Sequence, residues 1–353
     1  MATIRDIARM AGVSVSTVSL SFSSPNRVSP ETLSKIRKTA AKIGYVVDPV
    51  ARSLAGGRSR LIGMVVADIS NPFFGSLLKE VERCATAAGY LVILSDSGDD
   101  VDRERQILEH MSGQRVAGIV LSPCSYGADY VRSFATLKMP VVLFDQKVDG
   151  LEHDFVGTDN RLASAMLTRH LLQFGHRHIG LVAGTTGLFT STERTRGFVE
   201  TLEGAGIEVD HTLIVDGEYE GDTAYTAAMR ILTRSDRPTA IVAANNVMAL
   251  ATLQATYDLG FRCPEDLSIA SIDDVPWSNV ISPRLTSAVQ DPTKLGRIAA
   301  DRLLARIADP AVRVSPPMDF IVPPQFKMGG SCRDLGGRRT VSGPVLEAQY
   351  SGT

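Results

Sequence analysis

The sequence predicts a small N-terminal all-α domain followed by a two-lobed α/β core with parallel sheets. Three observations carry this. Helical apolar spacing runs through residues 3–43, with breaks at Gly12 and Gly44. From Leu61 the period changes, and apolar runs of strand length alternate with amphipathic helices. The charge is divided the same way: residues 1–60 hold ten basic and three acidic side chains, a net +7, so in a chain of −2 the remainder carries −9. A basic head on an acidic body is the distribution expected of a nucleic-acid reader joined to a domain that does not touch nucleic acid.

The head divides into three helices. Thr3 can cap a first helix that buries Ile4, Ile7 and Ala8 and ends at Ala11-Gly12, where glycine supplies the left-handed turn. Ser14 caps a second helix over 15–22 with Val18 facing inward. Ser29-Pro30 opens a third, whose Leu33, Ile36, Ala40 and Ile43 fall on one face before Gly44. Three short helices around a glycine turn make a helix-turn-helix reader. The predicted reader spans 1–47. Asp48-Pro49 then starts a very short helix, about 49–55, stopped by Gly56-Gly57. A helix this short does not stand alone in water, so 48–60 reads as a hinge that needs an external partner.

In the core, strands are predicted at 61–66, 90–95, 117–121, 140–144, 154–157, 178–183, 212–215, 240–243 and 268–272. Helices fall between them at about 73–88, 101–113, 127–137, 160–174, 193–205, 222–234, 246–259 and 292–308. Strict alternation implies parallel sheets covered on both faces. The span is too long for one sheet, so two similar lobes over 61–330 are inferred. Ligands on such sheets bind at the carboxyl ends of the strands. The Gly-, Arg- and Ser-rich end, 331–353, reads as a disordered tail without a heptad pattern.

Composition excludes several classes. Cys84, Cys124, Cys263 and Cys332 are scattered and lack metal-ligand spacing, which reads as free thiols in a reducing compartment. No signal-type segment and no run of about 18 apolar residues is present, so a cytoplasmic protein without a membrane partner is expected. An enzyme is not expected. The pairs Asp273-Asp274 and Asp99-Asp100 are adjacent on loops and cannot face one substrate as acid and base. Gly184-Thr185-Thr186-Gly187 lacks a phosphate-loop pattern, and His176 with His178 lacks a third metal ligand. No cofactor is expected.

Several segments together carry a family pattern: Thr3-Ile4-Arg5-Asp6-Ile7-Ala8, Ala11-Gly12-Val13-Ser14-Val15-Ser16-Thr17-Val18-Ser19, Gly44-Tyr45, Ala51-Arg52-Ser53-Leu54, Asn71-Pro72-Phe73-Phe74, Val156-Gly157-Thr158-Asp159-Asn160, Gly175-His176-Arg177-His178-Ile179, Glu193-Arg194-Thr195-Arg196-Gly197-Phe198 and Pro283-Arg284-Leu285-Thr286. In order and spacing, over residues 2–330, the chain resembles the lactose/galactose-repressor family. The resemblance implies a periplasmic-binding-protein-like core and a homodimer on a near-palindromic double-stranded DNA operator, since one head reads too few base pairs to be selective. It places Val15, Ser16 and Leu20 at base-reading positions, and Thr17 and Ser19 on phosphates. Thr3, Arg27 and Arg52 join the expected DNA contacts. Leu20 stands where the family often carries Arg, and can make only apolar contact, for instance with a thymine methyl. Leu54 corresponds to a minor-groove wedge that pays for unstacking with a bent, better-wrapped duplex.

The expected ligand site is the interlobe cleft, lined by Phe73, Phe74, Asp145, Arg194, Tyr219, Asn246, Asp273 and Trp277. Aromatic faces with acid, amide and guanidinium groups suit a sugar or sugar acid, less a purine. Plainer roles stand beside these: Phe73 as helix-start packing, Asp273 and Asn246 as loop caps, Arg194 as a surface ion pair. A ligand that prefers one lobe arrangement would bring the two hinge segments of a dimer together or separate them. The alternative function is a cytoplasmic solute-binding or sensor protein without operator specificity.

Overall fold

The computed structural model describes residues 2–23, 25–45, 59–134, 137–275, 278–280 and 282–336. Most of the hinge, with Arg52 and Leu54, and also Trp277 and 337–353, lie outside the described residues.

The head contains α1 (Ile4–Ala11), α2 (Val15–Ser23) and α3 (Pro30–Lys42). Thr3 caps α1 in a capping box with Asp6, and Gly12 closes it at φ +63°. Ser14 Oγ accepts from Thr17 N at 3.0 Å, and Ser29 caps α3 ahead of Pro30. Ile7, Ala11, Val18 and Ile36 meet in a small fully buried core, flanked by the partly buried Phe22, Ile43 and Tyr45.

The first lobe's sheet holds β1 (Leu61–Val66), β2 (Leu91–Asp96), β3 (Gly118–Leu121), β4 (Val141–Phe144), β5 (Asp154–Thr158) and β11 (Asp319–Val322). Their order is β11-β5-β4-β3-β1-β2, all parallel. The second lobe's sheet holds β6 (Ile179–Ala183), β7 (Ile214–Asp216), β8 (Ala240–Ala243), β9 (Ser268–Ile272), β10 (Thr286–Val289) and β12 (Gln325–Lys327). It runs β12-β10-β9-β8-β6-β7, parallel except for β12 against β10. The central strands are buried along their whole length, which explains their unbroken apolar sequences.

Helices α4 (Pro72–Ala87), α5 (Val101–Gly113) and α6 (Ala128–Ser133) cover the first lobe with α11 (Pro292–Ala308); α12 (Pro310–Arg313) follows α11 directly. Helices α7 (Asn160–Gln173), α8 (Phe189–Gly204), α9 (Gly221–Leu232) and α10 (Asn246–Asp258) cover the second. Two of these depart from expectation: α6 is shorter than 127–137, and α8 begins four residues before 193.

The chain passes between the lobes three times, after β5, after β10 and after β11. The last two crossings were not expected, because β10, β11 and β12 are only three or four residues long and carry no alternation. Asp154 on β5 fixes the return of α11. It is fully buried and accepts from Arg306 at 2.7 Å, Arg302 at 3.0 Å and Met318 N at 2.8 Å. Burial opposes its charge, but Arg306 and the other donors hold the carboxyl below its ordinary value.

The expected disordered tail starts too early. Ser331 is fully buried: its carbonyl accepts from Ile269 N, its hydroxyl takes Thr286 N, and Cys332 joins the second lobe's core. Arg333 N donates to Ser268 and Leu335 N to the Phe174 carbonyl. Residues 331–336 therefore complete the second lobe, which polar composition alone conceals.

Candidate ligand cleft and nucleic-acid interface

At the start of α2, Val15 is 47% exposed and Ser16 is exposed beside it, while Val18 and Ser21 are buried. The helix therefore presents its first turn outward and anchors by its middle. Ser14 Oγ lies 2.7 Å from Ser16 Oγ and 2.8 Å from Thr17 Oγ1, a hydroxyl cluster at the helix N-terminus. Such a terminus suits a phosphate oxygen. Leu20 is half-buried and Arg27 exposed. The Thr3 hydroxyl is already engaged with the Asp6 carboxylate at 2.7 Å, so its first role is to cap α1.

Between the lobes lies a cavity of about 470 Å³ at the carboxyl ends of the strands. Phe73, Phe74, Asp145, Arg194, Tyr219 and Asp273 all line it. Phe73 packs edge-on against Phe74, with centroids 5.2 Å apart, in the first lobe's core, and it also borders the cavity.

Arg194 is no surface ion pair. It is 4% exposed, and its Nε donates to Asn160 Oδ1 at 2.7 Å while Nη1 donates to the Ala244 carbonyl at 2.6 Å. One side chain on α8 thus ties the first crossing to the end of β8, with its guanidinium carbon 5.7 Å from the Tyr219 ring centroid. Asp145 follows β4. Burial pushes its carboxyl up to about 6, with Arg194 opposing the rise. Burial also raises Asp273, although Gln290 donates to it through N at 3.0 Å and Nε2 at 2.7 Å.

Asn246 is the correction. It does not line this cavity but sits behind it, where Oδ1 caps its neighbour Val247 N at 2.9 Å. Asn245 lines the cavity instead and caps α10 by accepting from Met248 N at 2.8 Å. The helix begins at Asn246 as expected, and it is the residue that caps it, Asn245, whose side chain faces the cavity.

Three further residues escaped the sequence reading. Gln146 Nε2 donates to Thr190 Oγ1 at 2.7 Å, Thr190 N returns a bond to Gln146 Oε1 at 3.2 Å, and Thr190 Oγ1 pairs with the Tyr219 hydroxyl at 2.7 Å. This chain of bonds joins the lobes across the cavity. Gln290 follows the unexpected strand β10, so nothing marked it. Strain also concentrates here: of the six described non-glycine residues with left-handed φ, all but Arg115 line the cavity, namely Asp99, Asp145, Glu218, Tyr219 and Asp273. Backbone held in sparsely populated regions gathers at ligand sites because the surrounding structure must over-determine it.

Residues 3–48 match the bacterial regulatory proteins, lacI family, and residues 168–332 match a periplasmic binding protein-like domain. Among curated relatives, the HTH-type transcriptional repressor PurR of Photobacterium profundum is 32% identical over 310 residues, covering 88% of this chain and 93% of that protein. The chain belongs to the lacI family. Among solved structures of similar fold, the lac repressor dimer bound to operator and the anti-inducer ONPF superposes with a TM-score of 0.81 at 25% identity, covering 94% of this chain and 99% of that one. A transcriptional regulator CelR–cellobiose complex gives a TM-score of 0.70 at 25% identity, covering 94% and 100%. This lacI-family chain is therefore a DNA-binding transcriptional regulator with a ligand-binding core. Among its described residues no helix is long and apolar enough to cross a membrane. His176 is bonded to Thr239 and the Arg333 carbonyl, and His178 to the Asp236 carbonyl.

Proposed function

We propose that this lacI-family regulator is a cytoplasmic repressor that binds a near-palindromic operator as a homodimer and is controlled by a sugar or sugar derivative in the interlobe cleft. The observation that carries the reading is the cleft itself: a buried guanidinium between two elevated carboxyls, walled by Phe73, Phe74 and Tyr219. Carboxylates and a forked cation take hydroxyl groups, and aromatic faces take the apolar face of a pyranose or furanose ring. CelR, a transcriptional regulator of similar fold, forms a complex with cellobiose. The cleft binds rather than reacts, since Arg194 and Tyr219 are fixed by protein partners and Asp145 and Asp273 flank a cation instead of a nucleophile. At the DNA end, Val15, Ser16 and Leu20 read base edges, Thr17, Ser19 and Arg27 hold backbone, and the 48–60 hinge contributes Arg52 and the Leu54 wedge.

The test is a gel-shift titration on the protein's own upstream DNA beside a thermal-shift screen of sugars. Operator binding should weaken steeply with salt, because phosphate contacts release counterions. Deleting residues 1–60 should abolish operator binding and preserve the ligand-induced shift. A full-length chain that binds sugar but no upstream DNA would favour the solute-binding alternative.

A further inference from the structure

The charge and hydrogen-bond inventory of the cleft limits what it admits. Seven carboxylates line the cavity against two guanidinium groups, Arg103 and Arg194, a net charge of minus five among the described residues. An anion could still enter if helix N-termini offered amides, since these ends carry partial positive charge. Helices α4, α5, α8, α9 and α10 begin beside this cavity, and each gives an N-terminal amide to the protein's own oxygen; on α5, Asp100 Oδ1 takes Arg103 N at 3.0 Å. Asn71 Oδ1 takes Phe73 N at 3.1 Å on α4, and Gln146 Oε1 takes Thr190 N at 3.2 Å on α8. Glu220 takes Asp222 N at 3.1 Å and Thr223 N at 2.6 Å on α9, and Asn245 Oδ1 takes Met248 N at 2.8 Å on α10. What the cavity does offer is acceptors. Gln290, 5% exposed, has its buried Oε1 without a hydrogen-bond partner among the described residues. Burial keeps Asp145 and Asp99 elevated, and Asp68 and Asp96 add to the effect at Asp99.

We infer that the effector is a hydrogen-bond-donating polyhydroxyl compound with no anionic group, so that this cleft excludes sugar acids and sugar phosphates. The inference rests on the reading of the cleft as a sugar site and narrows it. Hydroxyl or ammonium donors satisfy Gln290 Oε1 and the carboxyls, whereas a carboxylate or phosphate meets net negative charge at helix ends that already hold the protein's own acceptors.

Matched series test this on the full-length protein. Each contains a neutral sugar, its 2-amino derivative, its uronic acid and its 6-phosphate, built on glucose, galactose and mannose, with cellobiose and ribose added as neutral members. Binding is read by calorimetry at low and at high salt. The expected result is binding by a neutral or amino member and at least tenfold weaker binding by its acid and phosphate counterparts, with the gap shrinking as salt rises. Asn tolerates the left-handed φ of +55° at Asp99, so Asp99→Asn keeps the backbone and should narrow the gap by about threefold. An acid or phosphate that binds as tightly as its neutral parent overturns the inference. Absence of binding by every member overturns the sugar-site reading beneath it.

Discussion

Arg194 shows how one residue can be both structural and ligand-directed. Its Nε and Nη1 donate to Asn160 and Ala244, on two separate segments of the chain. Lysine keeps the charge but presents a single ammonium on a flexible stem, and cannot hold both partners at those angles. Arg194→Lys should therefore weaken effector binding at least tenfold by calorimetry while operator binding without effector persists in a gel shift. Unchanged effector affinity would show that the guanidinium only braces the fold. Asp145 makes a second prediction, through pH. Its folded carboxyl is elevated to about 6 from the usual 3.8, so ionising it costs stability. That cost is absent below about pH 4, grows between 4 and 6, and is complete above 6. Asp145→Asn should raise the melting temperature at pH 7.5, on the order of 1–3 kcal/mol of stabilisation. The gain should vanish near pH 4. A gain that is equal at both pH values would mean the carboxyl titrates normally.

The elements depend on close approaches that few residues permit. A Cβ at Gly197 on α8 would stand 2.2 Å from the Arg161 carbonyl on α7. Glycine is needed there because backbone, which cannot rotate away, occupies the space. Gly197→Ala should push α8 off α7 and cost about 2 kcal/mol in denaturant unfolding. Because Arg194 rides on the same helix, ligand affinity should fall with it. In the head, Ser14 holds the first turn of α2, and Ser14→Ala should cost about 1 kcal/mol of head stability. A thermal unfolding curve of the whole chain would show it as an earlier first transition, with the core transition unmoved.

At the scale of the molecule, three crossings connect the lobes and one chain of bonds, Gln146 to Thr190 to Tyr219, joins them across the cavity. Ligand binding there can bias the lobes only by the difference in its affinity for their arrangements. The proposed readout is the hinge. Leu54→Ala should weaken operator binding by an order of magnitude or more and leave sugar binding unchanged. Equal loss of both would mean that the substitution disturbs the fold rather than the DNA contact.

Local chemistry was legible from the sequence alone. Caps such as Thr3, Ser14 and Ser29, the turn at Gly12, the long apolar strands and most amphipathic helices follow from short-range preferences that no tertiary contact overrides. Six of the eight expected cleft residues line the cavity, because strand ends in alternating α/β chains converge on one edge; Trp277 lies outside the described residues. Tertiary structure decided the remainder. Strands of three or four residues such as β10, β11 and β12 exist only because a sheet edge receives them, so the double return between lobes left no periodic trace. The exchange of Asn246 for Asn245 turned on which of two adjacent amides at the start of α10 faces the cavity. Gln146, Thr190 and Gln290 became site residues through distant partners, and residues 331–336 became ordered because a second-lobe surface was there to bury Ser331 and Cys332.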